Sequence, residues 1–296
     1  MASPSDLQGK RVLVTGATGF TGRYVVQAFA DAGCSVLPLA RADGGAVDLL
    51  DKTSLQQAVA AAQADIVVHL AAISFVAHGD AEEIYRVNIV GTRNLLEALA
   101  AAAHRPSHVV LASSANIYGN TEGILDETAA AAPVNDYAVS KYAMELMARQ
   151  FADALPLTVV RPFNYTGVGQ ADRFLIPKIV GHFKRREARL ELGNLDVSRD
   201  FNDVRNVADA YVRLAALQGV GEVFNLCSGI EHTLMDVIGM MREIAGHSPE
   251  IVVNPAFVRA NEVRTLVGNP ARLQQAVGTV EQRTLRETLH WMYDNA

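Results

Sequence analysis

The sequence predicts an α/β protein built on a doubly wound parallel sheet, with a smaller, discontinuous lobe toward its C-terminal end. Three observations predict it. Short runs of Val, Leu and Ile alternate with amphipathic helical stretches, a glycine triplet stands between the first run and the first helix, and the alternation breaks after Pro162. Apolar strands at 11–15, 35–39, 65–70, 108–112 and 157–161 read as strands buried on both faces. Helices are expected between them at 20–32, 54–62, 81–103 and 135–154, which makes βαβ units with right-handed crossovers.

From 163 to 200 the chain is rich in Gly, Arg, Lys and Asp and shows no clear period. A helix at 204–218 and a strand at 222–227 resume the sheet, and helices follow at 234–245, 271–277 and 285–293. Two units are expected. Residues 1–163 with 201–228 form the sheet domain, and 164–200 with 229–296 form a lobe over its carboxyl edge, where such sheets bind ligands.

Composition narrows the classes of function. The chain has 296 residues, half of them hydrophobic, enough for one large domain and a lobe. A net charge of −6 and the lack of a basic patch exclude a nucleic-acid partner. The single basic cluster, Lys184-Arg185-Arg186, reads as the solvated end of a helix. Cys34 and Cys227 stand in apolar surroundings without metal-ligand or redox spacing, so both are read as structural and no metal is expected. No leader pattern or membrane-length apolar run is present, which makes a cytoplasmic location the expectation.

The glycine triplet is Gly16, Gly19 and Gly22, at the end of the first strand and the start of a helix. Gly16 permits the tight turn, Gly19 lets backbone approach a pyrophosphate, and Gly22 lets helix pack on strand. The helix N-terminus then offers N–H donors to the anion. This context marks a Rossmann-like dinucleotide domain. The second strand ends in Arg41, which suits a ribose 2′-phosphate where a carboxylate would favour NAD. The cofactor expected is NADP(H), with NAD(H) as second candidate, and Arg23 is available to assist. Asp48 and Leu49 are expected beside the adenine. Leu70, Ala71 and Ala72, small residues after the third strand, would let the cofactor lie across the sheet.

Tyr137 and Lys141 share one helix face at i and i+4, so phenol and ammonium converge. A lysine cation and a positive nicotinamide ring are expected to bring the phenol's pKa down from about 10. Tyr137 could then donate a proton to a carbonyl oxygen or accept one in reverse. The fourth strand ends at Ser113-Ser114, which places a hydroxyl within reach of the same oxygen.

Taken together, TGATGFTG (15–22), HLAA (69–72), VNIVGTRNLLEA (87–98), SSANIYG (113–119), YAVSK (137–141) and RPFN (161–164) resemble the extended short-chain dehydrogenase/reductase family over nearly the whole chain. The resemblance implies catalytic roles for Ser114, Tyr137 and Lys141, the last also holding the nicotinamide ribose. It adds Thr18, Phe20 and Arg161 to the expected cofactor contacts. RPFNYTGVGQ (161–170), the tract 191–211, FNLCSGI (224–230) and 261–273 are similar to GDP-sugar enzymes, above all the GDP-4-keto-6-deoxymannose reductases. That likeness implies Asn164, Lys178 and Arg199 at a diphosphate, Asn194 by guanosine, and Arg259 and Glu262 at diphosphate and ribose. Such residue types suit such groups. Tyr165, Val168, Ala260 and Thr279 depart from the usual pattern.

The activity implied is NADP(H)-dependent reduction of a 4-keto group on a GDP-linked sugar, by a homodimer joined through the helices at 81–103 and 135–154. A 4,6-dehydratase or 4-epimerase of the same family is the first alternative, and a non-catalytic dinucleotide-binding regulator the second. Dehydratases of the family carry a tract resembling Ser-Ser-Thr-Ser-Glu-Leu-Tyr-Gly, whose glutamate takes the C5 proton. Here Asn116 stands at that glutamate and Ala115 beside it. An amide has no useful basicity near neutrality.

Overall fold

The computed structural model describes residues 3–40, 44–74, 79–217, 221–258, 263–278 and 282–296. In the first half, β1 (Arg11–Thr15), α1 (Phe20–Asp31), β2 (Ser35–Pro38), α2 (Lys52–Ala62) and β3 (Ile66–His69) follow one another. α3 (Ala81–Tyr85), a π-helical stretch (Arg86–Gly91) and α4 (Thr92–Ala101) lead to β4 (His108–Ala112). A two-residue β5 (Ile124–Leu125) then precedes α5 (Asp136–Ala148), β6 (Leu157–Pro162) and β7 (Asn164–Thr166). The second half runs α6 (Leu175–Lys184), β8 (Arg189–Leu192), β9 (Ser198–Asp203), α7 (Val204–Ala216), β10 (Val223–Leu226), β11 (Glu231–Thr233), α8 (Leu234–Ala245) and β12 (Glu250–Val253). It ends with β13 (Thr265–Gly268), α9 (Ala271–Val277) and α10 (Leu285–Asp294).

Six strands make the large parallel sheet in the order β10-β6-β4-β3-β1-β2. Alternate residues of each strand feed opposite cores. Val12, Val14, Val68 and Val110 pack with α1 and α7, while Leu13, Val67, Val109 and Leu111 pack with α2, α4 and α5. Burial on both faces is why these strands are apolar throughout. From β1 the chain steps outward to β2 and then returns to β3 on the other side. The carboxyl ends of β1 and β3 therefore flank the switch point, where the crevice of such sheets opens.

A second sheet, β11-β9-β13-β5 with β7 beside β9, stands next to the first, together with a β12-β8 pair. Over it, α6, α8 and α10 close a third core around Ile179, Phe183, Ile238, Met241 and Leu289. Asp203 joins the two parts. It caps α7, pairs with Arg205 at 2.6 Å and accepts from Thr288 of α10 at 2.7 Å, while the Arg205 guanidinium lies 3.7 Å from the Trp291 ring centroid.

Several expectations need correction. The helix expected at 81–103 is broken by the π-helical stretch, where Asn88 turns its amide to the backbone of Ile73 and to Ser140. The helix expected at 135–154 leaves α form after Ala148. The aperiodic tract 163–200 holds α6, β7 and β8 and the first half of β9, which itself crosses the expected boundary at 200/201. α9, expected with the lobe, packs Leu273 and Val277 into the core shared by α1 and α7. Among the described residues no helix is long and apolar enough to cross a membrane, and no cluster of His, Cys, Asp and Glu could hold a metal ion.

Candidate active site

At the switch point the carboxyl ends of β1, β3, β4 and β6 open into a cleft of about 480 Å³. Its floor is the glycine loop. Gly16 has φ +69°, and a Cβ there would stand 2.9 Å from the Ala71 nitrogen. At Gly22 a Cβ would lie 2.0 Å from the Gly16 carbonyl oxygen, so loop and helix touch backbone to backbone. Gly19 is the N-cap of α1 and offers no side-chain acceptor to the first helical N–H groups. A phosphate oxygen completes such an end. Loop, dipole and open cleft thus fit a dinucleotide pyrophosphate. Phe20 and residues 70–72 line the same cleft as expected, whereas Thr18 is exposed outside it.

A buried polar chain fixes the rim. His69 bridges Thr15 at 2.7 Å through Nδ1 and Thr92 at 2.8 Å through Nε2. Thr92 spends its own proton on the Asn88 carbonyl, so Nε2 carries the ring hydrogen and Nδ1 accepts from Thr15. Thr15 Oγ1 in turn accepts from the Ala71 N–H at 3.1 Å. Burial, then the Lys141 charge, hold His69 down to about 3, so this tie is always neutral.

Above the floor stand Ser114, Tyr137 and Lys141, all lining the cleft. α5 begins at Asn135, whose side chain caps the Ala138 N–H, and this sets Tyr137 in the first turn with Lys141 one turn on. Ser114 Oγ accepts from the Asn116 backbone N–H and side-chain amide, both at 3.1 Å, and lines the same cleft as the Tyr137 phenol. Lys141 Nζ donates to the Ala112 carbonyl at 2.8 Å. The two titrations run opposite to a water-exposed pair. Burial pushes Tyr137 up to about 12, against the nearby Ser114 hydroxyl. Burial pulls Lys141 down to about 8, against the Glu145 carboxylate. In the protein alone desolvation sets the phenol's value, and the lowering expected from Lys141 together with a nicotinamide ring belongs to the cofactor-loaded cleft.

The two serines part company. Ser113 also lines the cleft but spends its hydroxyl on Glu145 at 2.5 Å. The same carboxylate holds Arg161 in a two-pronged pair, at 3.0 and 2.7 Å, and Arg161 reaches on to the Tyr118 hydroxyl at 2.9 Å. Every arm of its guanidinium is spent behind the cleft, so the structure does not bring Arg161 to the cofactor. Arg199 is likewise buried, donating to the carbonyls of Ser198, Val263 and Arg264, and ties β9 to the segment after residue 262. Lys178 donates to the Glu191 carbonyl at 2.8 Å beneath the Phe257 ring. Arg199, Lys178 and Asn194 do not line the cleft, whereas Asn164 does. Leu49 is buried in the core and Asp48 folds onto the Leu50 N–H at 2.9 Å, so neither lines it. Arg23 does not line the cleft itself but donates to the carbonyl of Gly169, which does. Arg41, Arg259 and Glu262 lie outside the described residues.

The far wall is made by residues the sequence reading passed over. Tyr165 hydrogen-bonds Thr21 at 2.8 Å and stacks with Phe20 at 6.2 Å, and so clamps β7 to the phosphate loop. Arg173, Phe174 and Tyr211 line the cleft as well. Tyr211 could have been found, since it sits in a quoted tract on the buried face of α7. Glu145 could too, lying one further turn along the Tyr137 and Lys141 face.

Comparison with known proteins agrees with this geometry. The sequence profile described as "NAD dependent epimerase/dehydratase family" matches residues 12–227. The chain is 34% identical over 293 residues to the GDP-6-deoxy-D-talose 4-dehydrogenase of Aggregatibacter actinomycetemcomitans, covering 96% of this chain and 97% of that one. It is 35% identical over 294 residues to the GDP-6-deoxy-D-mannose reductase of Pseudomonas aeruginosa, covering 95% of each. The solved structure of RMD from Pseudomonas aeruginosa complexed with NADPH superimposes with a TM-score of 0.88 at 34% identity, covering 97% of this chain and 98% of that one. A glycine cradle for a pyrophosphate, a Ser-Tyr-Lys constellation beside it and a full-length likeness lead to one statement: the chain is an enzyme of the NAD dependent epimerase/dehydratase family, Rossmann-like in fold, with NAD(P)(H) as its cofactor.

Proposed function

We propose that the protein reduces the C4 keto group of a GDP-linked 4-keto-6-deoxy sugar, GDP-4-keto-6-deoxy-D-mannose or a close homologue such as a heptose, with NADPH as reductant. One observation carries the reaction type. Among the described residues lining the cleft there is no aspartate or glutamate. A 4,6-dehydratase needs a carboxylate or comparable base to take the C5 proton, and the position beside the catalytic serine offers the amide of Asn116. What the cleft does contain suits a carbonyl at C4: a hydroxyl, a proton-bearing phenol and an ammonium. The relatives' names support the GDP-linked 6-deoxy sugar as substrate class.

NADPH, when bound, supplies the hydride to C4. The residues of the chain do the rest. Ser114 and Tyr137 hold the carbonyl oxygen, and Tyr137 donates its proton as negative charge develops there. Lys141, one turn on from Tyr137, would hold the nicotinamide ribose and stabilises the phenolate that remains. Asn164 and Arg173, both in the cleft lining, are of the types that meet a sugar and its diphosphate. Val90, Val139 and Leu146 are exposed apolar residues on the π-helical stretch and α5, which supports a homodimer formed across these helices.

The test is to incubate the pure enzyme with GDP-4-keto-6-deoxy-D-mannose and NADPH, and separately with GDP-mannose and NADP⁺, following the sugar by NMR. Expected are stoichiometric NADPH oxidation in the first mixture and an unchanged sugar in the second. Appearance of a 4-keto-6-deoxy product in the second would overturn the reading, as would 4-epimerisation of a GDP-sugar without net NADPH use.

A further inference from the structure

We propose that the Thr21 hydroxyl is a donor to the cofactor's pyrophosphate and that Tyr165 is the positioning residue that directs its proton. Thr21 stands in the first turn of α1, two residues after the N-cap Gly19, and Tyr165 at the middle of β7. Their side-chain oxygens lie 2.8 Å apart, which makes one hydrogen bond. A phenol is the stronger acid and its oxygen the poorer acceptor, because the ring draws on a lone pair, so Tyr165 donates and Thr21 accepts. Burial pushes the Tyr165 phenol's pKa up, which keeps that proton in place near neutrality. The Thr21 proton is then unspent, since among the described residues its oxygen has no other partner. Thr21, Tyr165 and the three loop glycines line the same cleft. A hydroxyl proton left over beside the first N–H groups of a helix is offered to an anionic oxygen, and a pyrophosphate is the anion this glycine loop fits.

The β7 segment is seated by more than this one bond. Tyr24, one turn further along α1, donates to the Val168 carbonyl at 2.8 Å, and Arg23 donates to the Gly169 carbonyl at 3.3 Å. Gly167 lies so close to its neighbours that a Cβ there would stand 2.5 Å from Val204 Cγ1 and 3.1 Å from the Trp291 ring. The Tyr165 ring itself stacks on Phe20 with the two planes 13° apart. Removing only the Tyr165 hydroxyl therefore leaves ring and backbone in place, and what the hydroxyl does separates from what the ring packs against.

Calorimetric titration of the full chain with no sugar present decides this, so the outcome is independent of which substrate is reduced. Three ligands are compared. NADPH is the first. The second, 2′-phospho-ADP-ribose, keeps the pyrophosphate and lacks the nicotinamide. The third, adenosine 2′,5′-bisphosphate, lacks the pyrophosphate. Thr21→Val, the same shape without the hydroxyl, should raise Kd for the first two about tenfold, the worth of one hydrogen bond to a charged group. The third should stay within about twofold. Thr21→Ser keeps the hydroxyl and should restore wild-type affinity. Tyr165→Phe should raise the same two Kd values about threefold, because an undirected hydroxyl must be ordered on binding. It should add nothing in the Thr21→Val background, whereas a tyrosine that only packs would cost the same in both. Unchanged NADPH affinity in Thr21→Val overturns the proposal, as does equal weakening of all three ligands. So does a Tyr165→Phe cost that persists without the Thr21 hydroxyl.

Discussion

Replacing Lys141 by methionine should make the free protein more stable while ending its catalysis. Burial holds the Lys141 ammonium down from 10.5 to about 8. At neutral pH the group is charged in both the folded and unfolded chain, and folding then carries a cost on the order of 3 kcal/mol, at about 1.4 kcal/mol per tenfold. Methionine keeps the length of the stem and removes the charge. It also removes the donor to the Ala112 carbonyl, 2.8 Å away, which costs about 1 kcal/mol. The net expectation at pH 7 is a gain of about 2 kcal/mol in urea unfolding of the cofactor-free enzyme. The sign with pH follows from the depressed value. Below about 8 the full cost is present. Between about 8 and 10.5 the folded chain sheds the proton before the unfolded one does, and the cost is relieved. The advantage of Lys141→Met should therefore shrink from pH 8 to 10 and then reverse. A variant less stable than wild type at pH 7, or a difference that does not change with pH, refutes the reasoning.

Four further outcomes are expected. Tyr137→Phe should fold and bind NADPH yet lose at least roughly a hundredfold in turnover, and near-normal turnover would remove Tyr137 as the acid. Glu145→Gln leaves the buried Arg161 guanidinium without its counter-charge, so denaturant unfolding should show a loss of about 3 kcal/mol; an unchanged midpoint would contradict the buried pair. Arg41→Asp should move the ratio of kcat/KM from NADPH toward NADH, and a constant ratio takes Arg41 out of the cofactor site. Glu262→Ala should raise the Kd for the GDP-sugar with NADPH affinity intact, whereas loss of both together points to a misfolded lobe.

How much the sequence disclosed depends on what each segment is buried against. β1 and β4 are found at the expected residues because strands inside a parallel sheet must be apolar on both faces, and nothing else in a short chain segment looks like that. β9 is the counter-example. All six of its residues are buried, yet Ser198, Arg199, Asp200, Asn202 and Asp203 are polar, and the tract reads as a loop. It can be buried because its polar groups are satisfied by distant segments: Asp200 by Ser228 and Gly229, Asp203 by Thr288, Arg199 by the carbonyls after residue 262. No local pattern announces partners that far away. The same reasoning explains the arginines. Charge marks Arg161 and Arg199 as anion binders, but the side to which a guanidinium turns is decided by Glu145 and by carbonyls elsewhere in the chain.

The catalytic group was legible as a set and not as a state. The i, i+4 spacing places Tyr137 and Lys141 together, and the strand end supplies Ser114, all from local sequence. Desolvation is a property of the assembled walls, with Tyr165 and Tyr211 closing over the phenol. It reverses the direction in which Tyr137 titrates. A phenol raised to about 12 holds its proton across the physiological range. The site as folded is thus loaded as an acid, ready to protonate an oxygen on which charge is growing, and this is the demand of carbonyl reduction. For the reverse reaction Tyr137 must first become a phenolate. Burial opposes that charge, and further positive charge beside Lys141 is what brings it within reach. Reduction therefore starts from the state the fold prefers, and oxidation has to displace it.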